Sequence, residues 1–191
     1  MEYFHLSQDE THRNPVIFDE DRLPEELKKV LSWKRKADLS GNTNMKDKSY
    51  NLMVKHNHIK YYYPDLIETP FLLVSDGLKK IFSSYDQGIQ WNCAILSDRA
   101  NKEQRVYWLC TLKKIDCLDE RTEFYPDLSL KKQVLDKNKI DGKTIFQVSG
   151  IRERRIIADL NVTESILKRS FTGIHVEKVE VGENYEKWSM R

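Results

Sequence analysis

The sequence predicts an α+β fold: a mixed β-sheet with two strand-helix-strand units and an N-terminal helical arm. Three observations carry this prediction. The first is the stretch Thr69 to Leu96. There Phe71-Leu72-Leu73-Val74 reads as a short apolar strand, Ser75-Asp76 as a helix cap, and Leu78, Ile81, Phe82 and Tyr85 as a stripe at helical spacing, before Gly88-Ile89 opens another strand. The second is a weaker echo from Arg155 to Val181, in which Ile156-Ile157-Ala158 runs into Asp159. Val162, Ile166, Leu167 and Phe171 then follow at helical spacing, and Gly173-Ile174 opens the closing strand. The third is Leu23 to Ala37. Pro24 sits where a first helical turn tolerates it, Glu25 and Glu26 lie near the positive end of the helix dipole, and Lys34, Arg35 and Lys36 near the negative end.

A chain of 191 residues suits one domain with its own core. We divide it into an N-terminal arm over 1–60 packed on the core, an α+β core over 61–182 and a tail over 183–191. Lys plus Arg number 32 against 30 for Asp plus Glu, so no net field favours nucleic acid or an anionic membrane. No basic start precedes an apolar h-region, and no apolar run approaches the ~18 residues of a membrane span. The expected compartment is the cytoplasm, and the expected state a monomer or homodimer. Cys93, Cys110 and Cys117 lack CxxC spacing and lie in or beside apolar runs, which favours buried free thiols over disulfides.

Taken in order, residues 1–22 are polar and acid-leaning, with Tyr3-Phe4 and Val16-Ile17-Phe18 as apolar anchors, and predict at most one short edge strand. Leu23, Leu27, Val30 and Leu31 form the stripe of the arm helix, while Trp33 lies off it and is open to a second contact. Asp38 to Lys48, with Ser40-Gly41-Asn42, reads as a loop, and Tyr50 to Tyr63 as one or two strands ended by Pro64-Asp65. Ile89, Trp91, Cys93 and Ile95 share one face of a strand. Val106 to Leu112 is nearly all apolar, as in a strand buried on both faces at the centre of a sheet. Asp116 to Asp127 is a long acid-rich connection, Leu128 to Val134 a short helix, and Thr144 to Val148 a strand ended by Ser149-Gly150. Asp159 and Thr163 both suit a helix cap; we favour Asp159, which gives a helix of three turns. In the closing strand the apolar phase slips between Val176 and Val179, by a bulge or by a change of surroundings. The tail from Gly182 to Arg191 is expected to fray.

Residue chemistry alone points to no reaction. His56 and His58 alternate along a strand and could share a metal with Asp65, but a zinc site needs three or four ligands and no second cluster is present. No cysteine sits at a Gly-bounded elbow or a clear helix start, and the seven glycines form no phosphate loop. No catalytic residue, metal or cofactor is therefore expected, and the chain does not read as an enzyme. The rival reading is a small enzyme or nucleic-acid binder using His56, His58 and the Tyr61-Tyr62-Tyr63 strand. Alternation weakens it, because successive tyrosines on a strand point to opposite faces.

Charge is unevenly dealt along the chain. Asp116, Asp119, Glu120, Glu123 and Asp127 face only one basic residue in their segment, Arg121, with Tyr125 among them. The plain reading is a solvated loop, and the functional one is an acidic surface complementary to a basic protein partner.

Several short patterns occur in one order: Tyr63-Pro64-Asp65-Leu66, Leu73-Val74-Ser75-Asp76-Gly77-Leu78-Lys79, Val106 to Ile115 running into Asp116-Cys117-Leu118-Asp119, Ile145-Phe146, and Thr172-Gly173-Ile174. Together they resemble a bacterial immunity family, the eleventh such class and formerly a domain of unknown function, found beside polymorphic toxins and type VI or contact-dependent effectors. The resemblance covers about Lys60 to Val181, with residues 1–60 matching only loosely. It implies a cytoplasmic protein that binds and neutralises a cognate toxin encoded by an adjacent gene. It supplies no catalytic motif and no interface that transfers by residue. On the chain's own chemistry the expected contact surface is Asp116, Asp119, Glu120, Glu123, Tyr125 and Asp127, with Trp33 and Trp188 as further anchors.

Overall fold

The computed structural model describes residues 2–35, 48–55 and 60–182, without the side chains of 32–35. The loop expected from Asp38, the Trp33 side chain, the His56 and His58 pair, and the tail with Trp188 lie outside the described residues. In chain order the strands are β1 (Tyr3–Gln8), β2 (Ser49–Met53), β3 (Leu66–Ile67), β4 (Leu73–Ser75), β5 (Gln90–Asp98), β6 (Glu103–Thr111), β7 (Lys114–Ile115), β8 (Glu123–Phe124), β9 (Leu130–Lys132), β10 (Val134–Leu135), β11 (Ile145–Val148), β12 (Ile156–Asp159) and β13 (Ile174–Val181). The helices are α1 (Glu25–Arg35), α2 (Asp76–Tyr85), α3 (Lys137–Ile140) and α4 (Leu160–Leu167). The fold is α+β with mixed sheets. Among the described residues no helix is long and apolar enough to cross a membrane.

A six-stranded sheet runs β10-β13-β1-β12-β11-β7, and a five-stranded sheet runs β2-β5-β6-β4-β3. Both strand-helix-strand units are present, and in each the two strands flank an inserted one. Thus β4 and β5 are both antiparallel to β6, and β12 and β13 are both antiparallel to β1. Each unit is a split β-α-β crossover. The likeness extends outward: β2 is parallel to β5 as β10 is to β13, and β3 is antiparallel to β4 as β11 is to β12. The halves differ in where the inserted strand comes from. β6 follows β5 in a hairpin, whereas β1 is borrowed from the opposite end of the chain.

This overturns the expected edge strand, since β1 lies inside its sheet. Its sequence conceals the position because Leu6 faces the central core and Tyr3 the outer one, leaving no one-sided alternation to read. The slip in β13 has the same origin. Its register against β1 is unbroken from Ile174 to Val179, so there is no bulge; Val176 packs against the central core and Val179 in the outer one.

Helices α2 and α4 contribute Leu78, Ile81, Phe82, Val162 and Ile166 to the central core, where they meet Val74 and Cys110 of one sheet and Leu6, Ile156 and Ala158 of the other. Leu23 and Leu27, at the start of the arm helix, close the opposite face of the five-stranded sheet over Tyr50, Leu52, Ala94 and Leu109. Ile140 and Cys117 close the outer face of the six-stranded sheet over Phe146, Ile157 and Val179. On the Ile89, Trp91, Cys93, Ile95 face, Ile89 is buried in the central core and the other three are half-buried, while Ala94 and Leu96 on the opposite face enter the core under α1. β6 is central, as expected, but not buried throughout. Its first half runs past the three-residue β4, and Val106 is left 53% exposed.

Both helix caps are formed as expected. Ser75 Oγ accepts from Leu78 N–H at 3.3 Å, and Asp159 Oδ1 accepts from Val162 N–H at 2.9 Å. α4 spans eight residues, about two turns rather than three, and Leu167 is exposed instead of joining the stripe. Asp159→Ala leaves a buried helix N-terminus without its acceptor, and is expected to cost about 1–2 kcal/mol by urea denaturation, with Asp159→Asn restoring most of the loss. Equal midpoints for the wild type and Asp159→Ala would contradict this.

Two separate sequence patterns meet at the join between the sheets. Asp65 N–H donates to Thr172 O at 2.8 Å, Thr172 N–H donates to Asp65 Oδ2 at 2.7 Å, and Ser75 N–H donates to Asp65 O at 2.9 Å. Gly173 has φ +71°, and any Cβ there would collide with Pro64.

Candidate functional site

The chain leaves the six-stranded sheet after β7 and returns as a hairpin, β8 against β9. Tyr125-Pro126-Asp127-Leu128 makes the turn, closed by Leu128 N–H donating to Tyr125 O at 2.9 Å, with Pro126 in the position that its fixed φ favours. Asp127 Oδ1 accepts from Ser129 Oγ at 2.6 Å and from Ser129 N–H at 3.0 Å. The helix expected over Leu128 to Val134 is therefore absent. Leu128 adopts φ +66°, which reverses the chain and sends Leu130–Lys132 back as a strand. That backbone is strained for a branched side chain.

The root of the hairpin is tied down. Thr122 Oγ donates to Val134 O at 2.9 Å, Leu130 N–H donates to Glu153 Oε1 at 3.0 Å, and Arg152 reaches Asp127 O at 3.1 Å. Its tip is apolar and open: Phe124 is 42%, Tyr125 51% and Leu128 68% exposed, half of the large exposed hydrophobic side chains in the described residues. Isolated exposed apolar residues are ordinary, but three within five consecutive residues, Phe124 ending β8 and Tyr125 and Leu128 on the strained turn, are not.

The acidic residues are less free than their sequence suggests. Asp119 accepts from Arg121 Nε at 2.8 Å, and the side-chain and backbone bonds from Arg121 hold its carboxyl down to about 2. Lys131 bonds Glu123 at 2.6 Å and lowers its pKa, while Ser129 lowers that of Asp127. Asp116 and Glu120 are exposed and have no ion pair among the described residues. The structure thus gathers Glu123, Tyr125 and Asp127 on the hairpin, leaves Asp119 and Glu120 at its root, and sets Asp116 before it. Sequence reasoning missed Phe124 and Leu128. The available signal was the Tyr-Pro-Asp turn, which puts its flanking residues at a tip.

Of the other candidate chemistries, that of His56 and His58 lies outside the described residues, and the cysteines and tyrosines can be placed. Cys110 and Cys117 are buried, and burial raises both thiols, Cys117 to about 12. Cys93, expected to be buried, is only partly so. Among the described residues no group of three or more His, Cys, Asp or Glu side chains could hold a metal. Tyr61 is buried, Tyr62 stacks on His12 at 4.1 Å, and Arg105 lies over Tyr63 at 4.4 Å, so the three rings form no common stacking platform.

On β1, the buried His5 accepts at Nδ1 from the Arg155 guanidinium at 3.1 Å, because a guanidinium only donates; its ring proton therefore sits on Nε2, which has no acceptor. Burial, then the Arg155 and His175 charges, hold the imidazole down to about 4. In the unfolded chain it titrates near ~6.5, so the folded state binds fewer protons between these values. This contribution is complete above pH ~6.5 and falls away as the pH drops towards 4, by about 3 kcal/mol in all. Side-chain NMR is expected to give His5 a midpoint near 4, and a midpoint at ~6 or above would overturn this account.

Two comparisons complete the description. A family model described as "Immunity protein family (Imm11)" matches residues 2–181. No curated protein matches the chain.

Proposed function

Because the chain belongs to the Imm11 immunity protein family, we propose that it binds a cognate bacterial toxin and neutralises it stoichiometrically, without catalysis, through the β8–β9 hairpin. The observation that carries the choice of surface is the exposure of Phe124, Tyr125 and Leu128 together at the tip of an anchored hairpin with a strained turn. A stable inhibitory complex buries roughly 1,200–2,000 Å² and rests on a few aromatic or Arg anchors. Held in place before binding, the tip loses little conformational freedom when it docks. Glu120, Asp116 and the paired carboxylates around it would steer a basic toxin face and set the on-rate. Against a nuclease, the same carboxylates would stand where substrate phosphates bind. In this reading the toxin is a neighbouring gene's product, an effector of type VI or contact-dependent delivery, met in the cytoplasm.

The test is calorimetry of this protein with the product of the gene immediately upstream, paired with growth rescue on co-expression. Tight 1:1 binding with rescue is expected, and the absence of both would overturn the proposal. Charge reversal of Asp119, Glu120 and Glu123 together is expected to slow association about tenfold at low salt. An unchanged on-rate would remove the acidic residues from the interface.

A further inference from the structure

A pocket of about 280 Å³ opens between the β8–β9 hairpin and the six-stranded sheet, on the face of β1 that carries His5. Arg155 lines it and has no carboxylate within ion-pair distance among the described residues; its recorded hydrogen bond is to His5 Nδ1. His5 is neutral in that arrangement, so it orients the guanidinium without repelling a second charge or cancelling the first. Gln133 lines the same pocket with a buried side-chain N–H that has no acceptor.

The rim carries both signs. Lys131, Lys132 and Lys178 line the pocket, against Glu177 and Glu180. Glu180 is already taken by Lys132 at 2.9 Å, and Glu177, whose side chain is 63% exposed, brings Oε2 to 4.0 Å from His5 Nδ1 and competes for the site. The other two lysines are held by Glu123 and Glu2, in solvent-exposed pairs that exchange partners at little cost. Arg155 thus has only a neutral hydrogen-bond partner, and Glu177, the lining carboxylate without a lysine partner among the described residues, carries an exposed side chain that can turn to solvent.

We propose that this pocket binds a small oxyanion, a carboxylate or phosphate group, anchored on Arg155, with His5 as the residue that positions the guanidinium and Gln133 in the surrounding lining. A planar guanidinium suits such a group because it donates two parallel hydrogen bonds. The group would come either from a free small molecule or from an acidic side chain of the toxin. The site's existence does not depend on the proposed function.

The experiment is an NMR titration of the isolated full chain, isotope-labelled, with inorganic phosphate and separately with succinate at constant ionic strength. Saturable shifts are expected at the Arg155 Nε–H and the Gln133 amide. Arg155→Gln is expected to weaken binding at least tenfold, Arg155→Lys less, and Glu177→Gln to tighten it several-fold, while Lys80→Gln on α2 changes nothing. Shifts that do not saturate, or that persist undiminished in Arg155→Gln, would overturn the proposal, and the Glu177→Gln arm retains this power should the Arg155 variants misfold. A second arm adds the toxin to the anion-loaded protein. Expulsion of the anion identifies the occupant as a toxin carboxylate, and its retention identifies a free small molecule. Failure of the first arm leaves the toxin-binding test untouched, and the converse also holds.

Discussion

Gly173→Ala is expected to destabilise the protein by about 3 kcal/mol or more, combining overpacking with the cost of a left-handed backbone for an L-residue. The new Cβ would collide with Pro64 Cβ and lie 3.1 Å from Pro64 Cα, at φ +71°. Neither neighbour can yield easily. Pro64 precedes Asp65, whose backbone and carboxylate hold Thr172 and Ser75, and Gly173 O accepts from Asp9 N–H at 3.0 Å. A displacement at Gly173 therefore loosens both sheets together. For a chain of this size each kcal/mol corresponds to a fall in Tm of roughly 2–4 °C. Gly150→Ala is the control, with φ +80° but nothing within 4 Å of the added methyl, and is expected to cost only about 1–2 kcal/mol. If the two variants unfold at the same denaturant concentration, the close approach to Pro64 is not what makes position 173 a glycine.

The hairpin tip gives the second large expected effect. Phe124→Ala and Tyr125→Ala are each expected to weaken toxin binding about 30-fold or more, the loss of a buried aromatic anchor worth roughly 2 kcal/mol, while leaving the unfolding midpoint almost unchanged because both rings are solvent-exposed in the free protein. Leu128→Gly separates function from stability more sharply. Relief of φ +66° should stabilise the free protein by about 1 kcal/mol, and loss of the side chain should weaken the complex. A stabilised variant that binds less well is the signature of strain kept for recognition. If all three variants bind the toxin as the wild type does, the hairpin is not the contact surface.

The crossover units and their caps were legible because the signals are local: a short apolar run, a Ser or Asp acceptor, helical spacing, then Gly-Ile. Long-range partners decide what was not legible. β1 carries no one-sided pattern because two different cores take its two faces, and β9 looks like a poor helix because the Tyr125–Leu128 turn and a bond to Glu153 fix its direction. At the site, the acidic run was plain in the sequence, but its neutralisation by Arg121 and Lys131 depends on local folding, and so does the exposure of Phe124 and Leu128. The patterns around Pro64-Asp65 and Thr172-Gly173 stood out separately, and their reason is shared, since they bond to one another.

Because β1 is borrowed from the opposite end of the chain, the connectivity can be changed while both sheets stay as they are. β13 ends beside the start of β1, with Val179 opposite Tyr3, so a short turn from residue 181 to residue 3 would make a hairpin equivalent to the one joining β5 to β6. A circular permutant closed there and opened after Gln8 would carry each half as one uninterrupted run. Contacts now 150 residues apart, such as His5 with Arg155, would fall to about thirty residues apart along the chain. Since folding slows as contacting residues become more distant in sequence, the permutant should reach the same sheets sooner.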